Sequence, residues 1–202
     1  MEEELHSTEP DFWSQRYSSA KTPWKIEHVP ERLHAFIRSL GAGSNILIPG
    51  CGDDYRAIAA FDRAGHSVAA IDFSPVAVEL AKRSLPQLMD RIILADFFSY
   101  DFGAAMFDVV YERTFLCALP PRLWNEYAAR VAELLRPHGV LAGFFFYGEE
   151  PDPPPFPLTE SSASEIFGGR FHLRKSEGVS DSLPIYDGNE IWQEWQRGAE
   201  PV

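Results

Sequence analysis

The residues able to do chemistry fall in three short stretches, each closing an apolar run. Pro49-Gly50-Cys51-Gly52 is followed by a helical pattern, and its glycines permit positive φ and close approach of a ligand to the backbone. Asp72 stands twenty residues after Gly52, where a carboxylate is placed to accept both hydroxyls of a ribose. Asp96-Phe97 ends a third run and pairs an acceptor for an adenine amino group with an aromatic side chain to cover the ring. A plainer set of roles uses the same residues: a tight strand–helix turn with a cap at Asp72, a turn begun by Asp96, and Phe97 in the core. At Asp96 both roles stay open.

The glycine pattern selects among nucleotides. Dinucleotide folds carry a third glycine three residues after the second, with the helix N-terminus facing a pyrophosphate. Here that position is Tyr55, and Asp53-Asp54 would set two negative charges where the pyrophosphate lies. A cationic or zwitterionic ligand suits them better. S-adenosyl-L-methionine, with its sulfonium and ammonium, is the expected cofactor, and S-adenosyl-L-homocysteine its product; NAD is disfavoured. Trp13 and Trp24 precede every strand in an aromatic, irregular segment, and their faces could attract a sulfonium.

The elements that must position these groups alternate. Leu33, Phe36, Ile37 and Leu40 recur at helical spacing. Apolar runs at 45–48, 67–71, 91–94, 107–111 and 140–147 read as strands buried on both faces. Helical stretches follow the first two, with Ser74-Pro75 as N-cap and first helical residue. Residues 121–135 form an amphipathic helix before Pro137-His138-Gly139 turns the chain. Five prolines crowd 149–157, too many for helix or ladder. A short helix near 162–167 and strands near 171–175 and 190–196 complete the chain, the two late strands pairing antiparallel at the sheet edge. The pattern predicts an α/β fold: three layers, doubly wound, Rossmann-like, with a mostly parallel seven-stranded sheet and an antiparallel last strand. One domain is expected over 1–202, with a flexible lead at 1–10, an N-terminal lid at 11–40 and the sheet core at 44–197.

Together these residues resemble the thiopurine S-methyltransferases and their halide and thiol methyltransferase relatives. The resemblance rests on Asp11-Phe12-Trp13, Arg16-Tyr17, Lys21-Thr22-Pro23-Trp24, Ile48-Pro49-Gly50-Cys51-Gly52, Ile71-Asp72-Phe73-Ser74, Ala95-Asp96-Phe97-Phe98 and Thr114-Phe115-Leu116-Cys117-Ala118-Leu119-Pro120-Pro121. It spans about 11–197 and implies the class I methyltransferase sheet. By position, it implies that Trp13, Tyr17 and Trp24 cover the cofactor. Gly50, with its neighbours Cys51 and Gly52, would meet the methionine portion, Asp72 with Phe73 the ribose, and Asp96 with Phe97 the adenine. Arg113 matches an arginine near cofactor and substrate. It is the candidate catalytic residue, a cation that favours the acceptor's thiolate, or else the partner of Glu112 or another nearby carboxylate. Phe115, Tyr147 and Phe156 are expected in an apolar acceptor wall with Pro154 and Pro155. The substrate would be a thiol or other soft nucleophile on a small molecule. The alternatives are an O- or N-acceptor in small-molecule biosynthesis and a non-catalytic S-adenosylmethionine-binding module.

Composition bounds the rest. Of 202 residues, 45% are hydrophobic and 24% charged, ordinary for a globular chain. Eighteen bases against thirty acids give a net charge of −12 with no basic cluster, so nucleic acid is not an expected partner. No apolar stretch reaches membrane-spanning length, and the acidic MEEELHSTEP opening is not expected to be a secretory signal. Cys51 and Cys117 show no framework spacing, the histidines no ligand spacing, and no G-x-S-x-G is present. A cytoplasmic monomer without a metal is expected.

Overall fold

β-branched and apolar residues bounded by glycine turns build the centre of the sheet in the computed structural model, which describes residues 6–199. The parallel strands are β1 (Asn45–Pro49), β2 (Ser67–Asp72), β3 (Ile92–Leu94), β4 (Phe107–Arg113) and β5 (Leu135–Phe146). Two later strands, β6 (Phe171–Gly178) and β7 (Glu190–Arg197), complete an order β3-β2-β1-β4-β5-β7-β6. β7 is antiparallel to both its neighbours. Helices α1 (Pro10–Ser18), α2 (Glu31–Ser39), α3 (Tyr55–Arg63), α4 (Pro75–Ser84), α5 (Trp124–Leu134) and α6 (Glu160–Phe167) flank it.

Alternation along each strand divides the core. Val109, Tyr111, Ala142, Phe144 and Trp192 face α2, α3 and α4. Phe107, Val110, Leu141, Phe145 and Trp195 face α5 and α6. Both faces are therefore covered, as parallel strands require. Strand order reverses between β1 and β4, so the carboxyl ends of these strands form the crevice in which such sheets bind ligands. There a third cluster joins Ile26, Cys117, Phe146, Leu183 and Tyr186.

Three expectations are corrected. The segment at 10–18 is helical, because Pro10 supplies a preset φ at the first helical position and Asp11 lies in the first turn. Helix α1 thus begins inside the expected lead, whose residues 1–5 lie outside the described residues. The amphipathic helix starts later than expected: Pro121–Leu123 is a 3₁₀ turn, and α5 begins at Trp124. Pro137-His138-Gly139 does not precede a strand but lies within β5, where the register to β4 shifts between Phe107 and Val109 and His138 takes φ +64°. The two late strands do pair antiparallel at the sheet edge, as expected. β7 buries Trp192 and Trp195 on opposite faces and so inserts between β5 and the largely exposed β6.

Candidate functional site

Backbone geometry at the end of β1 makes the floor of the site. Gly50 and Gly52 have φ of +55° and +54°, the left-handed region that side chains disfavour. Space excludes a side chain independently: a Cβ on Gly50 would lie 2.1 Å from Cδ2 of Phe115, and one on Gly52 would lie 2.2 Å from the Tyr17 hydroxyl. Chain from the N-terminal segment and from the loop after β4 thus closes directly onto this turn.

Asp72 ties the turn to β2. Its Oδ2 accepts from the Gly52 amide and its Oδ1 from the Ser74 amide, both at 2.8 Å. Burial raises its pKa to about 6, against the opposing pull of those donors. The carboxylate still lines the cavity, and each oxygen keeps a lone pair for a further donor. Ser74 caps α4, accepting from the Ala77 amide at 3.3 Å, and its hydroxyl meets that of Ser14 on α1 at 3.0 Å. The acids after the turn are both engaged: Asp54 caps α3 through the Arg56 and Ala57 amides, and Asp53 pairs with Lys25 at 2.5 Å.

Above the floor lies a cavity of about 970 Å³. Trp13, Tyr17 and Trp24 roof it, with Trp24 edge-on to Trp13 at 5.5 Å and to Tyr17 at 5.9 Å, and its indole N–H 3.3 Å from the Tyr17 hydroxyl. Phe73, Asp96 and Phe97 line one side. Asp96 does begin a turn, accepting from the Phe98 amide at 3.0 Å and the Ser99 hydroxyl at 3.3 Å, yet it remains exposed to the cavity. Phe115, Pro154 and Pro155 form the far wall. Glu112 fixes that wall's loop: one carboxylate oxygen accepts from the Phe115 and Leu116 amides at 2.9 Å, the other from the Tyr127 hydroxyl at 2.6 Å. Burial raises the Glu112 pKa to about 7.

Three candidates sit elsewhere than the sequence suggested. Tyr147 does not line the cavity; its hydroxyl bonds Gln193 at 3.1 Å. Phe156 packs into the core on the α5 side, while its amide bonds the Cys117 carbonyl. Arg113 is absent from the lining of the large cavity and lies under the glycine turn, in a small cavity of about 30 Å³ lined also by Cys51 and Gly52. Its guanidinium stacks 4.1 Å from the Phe144 ring centroid and pairs with Glu190 at 3.4 Å, not with Glu112. Its Nε and Nη1 are buried with no partner. Tyr17, Trp24, Gly50 and Thr114 border both cavities.

The sequence analysis missed Ile185 and Tyr186, which reach the cavity from the β6–β7 connector, and Arg16, Lys21 and Pro23 around α1. Arg16, Lys21 and Pro23 stand in the motifs that carry the resemblance, but nothing local marks 185 and 186, which only the closing of the sheet brings beside Cys117. The Cys117 thiol lies 3.3 Å from the Tyr186 hydroxyl, and burial pushes its pKa up to about 12. It therefore stays protonated at neutral pH and is no nucleophile.

Comparison with known proteins agrees with this arrangement. The family described as "Thiopurine S-methyltransferase (TPMT)" matches residues 8–193. A probable thiol methyltransferase 2 of Arabidopsis thaliana is 29% identical over 160 residues, 76% of this chain and 70% of that protein. A thiopurine S-methyltransferase of Methylococcus capsulatus is 29% identical over 189 residues, 82% of this chain and 83% of its own. Among solved structures, the 1,6-didemethyltoxoflavin-N1-methyltransferase of Burkholderia thailandensis, with bound 1,6-didemethyltoxoflavin and S-adenosylhomocysteine, superposes with a TM-score of 0.76 at 22% identity. The match covers 94% of this chain and 87% of that one. Magnesium protoporphyrin IX methyltransferase of Synechocystis, with bound S-adenosylmethionine, gives 0.73 at 16% identity, covering 98% and 100%. These two likenesses establish the fold.

Proposed function

The chain belongs to the thiopurine S-methyltransferase family, and from that premise we propose how its site methylates a thiol or other soft nucleophile on a small molecule with S-adenosylmethionine. The observation that carries the proposal is the pair of adjoining cavities that share Tyr17, Trp24, Gly50 and Thr114. One is large, roofed by tryptophans and floored by Gly50 and Asp72; the other is small and presents two unpartnered guanidinium nitrogens.

The residues present fit the cofactor. Gly50 borders both cavities and Gly52 the small one, each presenting backbone with no side chain of its own. Asp72, held by two amides, offers its remaining lone pairs to the ribose hydroxyls, with Phe73 alongside. Asp96 and Phe97 would take the adenine, and Arg113, with Nε and Nη1 unpartnered, would answer the methionine carboxylate. Trp13, Tyr17 and Trp24 would offer the sulfonium aromatic faces, which attract a cation. When bound, S-adenosylmethionine supplies a methyl group activated by positively charged sulfur.

The protein's own contribution is alignment and dehydration. Phe115, Pro154, Pro155, Ile185 and the roof exclude water from the acceptor. The titratable side chains on the described cavity wall are Arg16, Tyr17, Lys21, Asp72, Asp96, Cys117, Glu126 and Tyr186. Burial pushes Tyr17, Cys117 and Tyr186 upward, and Asp72 is committed to the turn, so none of these four is poised to strip a proton from an alcohol. A thiol reaches its anion with little help, since its ordinary pKa is about 8.5. This favours sulfur over oxygen acceptors.

The same proposal extends to the setting. Both cysteines are free and buried, which suits a reducing cytoplasm. Among the described residues no helix is long and apolar enough to cross a membrane. A net charge of −12 supports a small-molecule partner rather than nucleic acid, with the chain acting as a monomer.

Calorimetry on Arg113→Met tests the cofactor assignment. Affinity for S-adenosylmethionine and S-adenosylhomocysteine is expected to fall by roughly ten- to a hundredfold, the loss of a charged hydrogen bond. Affinity for 5′-methylthioadenosine, which lacks the carboxylate, should not move. An equal loss for all three ligands, or none, would remove Arg113 from the cofactor site. Turnover across an acceptor panel tests the thiol assignment.

A further inference from the structure

Glu190 is the most deeply buried carboxylate outside the turn and loop already described, with 1% of its side chain exposed. It opens β7, but its interactions point back along the chain into the connector at 179–189. A single oxygen, Oε2, accepts from the Ser182 hydroxyl at 2.9 Å, the Leu183 amide at 2.5 Å and Arg113 Nη2 at 3.4 Å. The two connector contacts pin one end of the 3₁₀ turn Pro184–Tyr186. Its other end is pinned by the Asn189 amide bonding the Tyr186 carbonyl, across Asp187 and Gly188 at positive φ, and by the Tyr147 amide bonding the Asn189 carbonyl.

Between those pins lie the two connector residues that face the large cavity, Ile185 and Tyr186. Tyr186 packs against Phe146 at 4.6 Å between ring centroids, and its hydroxyl meets Cys117. Leu183 and Tyr186 share one apolar cluster with Ile26 and Cys117, with Trp24 and Ile185 packed against it. This cluster lies at the end of the cavity away from Asp96 and Phe97. To these contacts Glu190 adds a buried carboxylate that collects three donors, two of them from the connector itself.

We propose that Glu190 is a positioning residue for acceptor selectivity: it fixes the Ile185–Tyr186 face against which the body of an aromatic or other bulky apolar thiol packs. The inference rests on the methyltransferase reading of the cavity. Glu190 touches neither reactant. It acts through Ser182 and Leu183 on the wall, while its bond to Arg113 restrains a residue of the cofactor end. Replacing it by glutamine keeps an acceptor oxygen but removes the charge that gathers the donors, and leaves the unit charge of Arg113 without this counter-ion. Acceptor packing and cofactor binding should therefore part company.

The experiment compares wild type, Glu190→Gln and Ser182→Ala in three measurements. The first is KM for thiophenol and for hydrosulfide at saturating S-adenosylmethionine. The second is calorimetric affinity for S-adenosylhomocysteine. The third is binding of thioanisole to the S-adenosylhomocysteine complex by saturation-transfer NMR, which needs no turnover. Glu190→Gln is expected to raise the thiophenol KM about tenfold and to weaken thioanisole correspondingly. The hydrosulfide KM and S-adenosylhomocysteine affinity should stay within about twofold, and Ser182→Ala should move the same quantities less. Equal effects on both thiols, a parallel loss of S-adenosylhomocysteine affinity, or unchanged thioanisole binding would each overturn the proposal. If wild type transfers no methyl group to any thiol while Glu190→Gln still weakens thioanisole, the positioning role stands and the thiol reading fails.

Discussion

Removal of residues 1–24 is expected to leave a folded sheet that has lost turnover, by roughly a hundredfold or more, the scale that misplacing reactants commands. The two large core clusters draw on α2 to α6 and the strands, and among the described residues none before Val29 enters them. What the N-terminal segment does supply is the roof: Trp13, Tyr17 and Trp24, held by α1 against α4 and by the Ser14–Ser74 contact. Without it the cavity opens to water, and the acceptor's charge is solvated where it must react. Lys25 stays in the truncated chain, so its pair with Asp53 does not confound the comparison. Circular dichroism and thermal unfolding would establish the fold, and methyl transfer the loss. A truncated protein that methylates thiols at the full-length rate would show that the segment is no lid.

Asp72→Ala should weaken S-adenosylmethionine binding by ten- to a hundredfold, since a charged hydrogen bond typically contributes ~1.5–3 kcal/mol. The substitution also strands the Gly52 and Ser74 amides, so Asp72→Asn, which keeps an acceptor oxygen, is the companion variant. The pH dependence gives a sharper signature. Burial holds the folded pKa near 6, above the ordinary carboxylate value. The fold therefore binds this proton more tightly than the unfolded chain does, and Asp72's contribution to stability declines as pH rises from about 4 through 6. Cofactor binding runs the other way, because two hydroxyl donors favour the ion. Wild-type affinity should be level above pH 7 and drop roughly tenfold by one unit below the folded pKa, while Asp72→Asn should show a flat profile over that range. Calorimetry between pH 5 and 8 would reveal both. Parallel profiles in wild type and Asp72→Asn, or unaltered affinity in a folded Asp72→Ala protein, would refute the ribose contact.

Legibility of the sequence followed the range of the interactions. The strands were readable because burial on both faces leaves nearly continuous apolar runs, as in Ile46-Leu47-Ile48. Ser74-Pro75 marked a helix start because the cap is local chemistry. The floor of the site was equally legible, since Gly50, Gly52 and Asp72 are fixed by one turn and its neighbouring strand. Long-range features were not. Helix α1 looked irregular because its aromatic residues are shared between a roof and α4 instead of forming one apolar stripe. Whether 171–175 or 190–196 was the edge depended on which strand buried its tryptophans. Arg113 looked like a cation near cofactor and acceptor or the partner of a nearby carboxylate; that carboxylate is Glu190, 77 residues on, which no local pattern brings to it. Tyr147 and Phe156 were apolar residues near the right strand end whose side chains found the core first. The connector's Ile185 and Tyr186 carry no local signal at all.

The central claim is that this cavity transfers a methyl group to sulfur. It is tested most directly by following the isotopically labelled methyl of S-adenosylmethionine into a matched panel at saturating cofactor: thiophenol, hydrosulfide, iodide, phenol and aniline. The adjoining cavities and the low pKa of a thiol predict labelled thioanisole from thiophenol and labelled methanethiol from hydrosulfide, with phenol and aniline slower by roughly a hundredfold or more, the scale of general-base assistance. Faster labelling of phenol or aniline than of any thiol, or no labelled product from a protein that binds S-adenosylhomocysteine, would contradict the account.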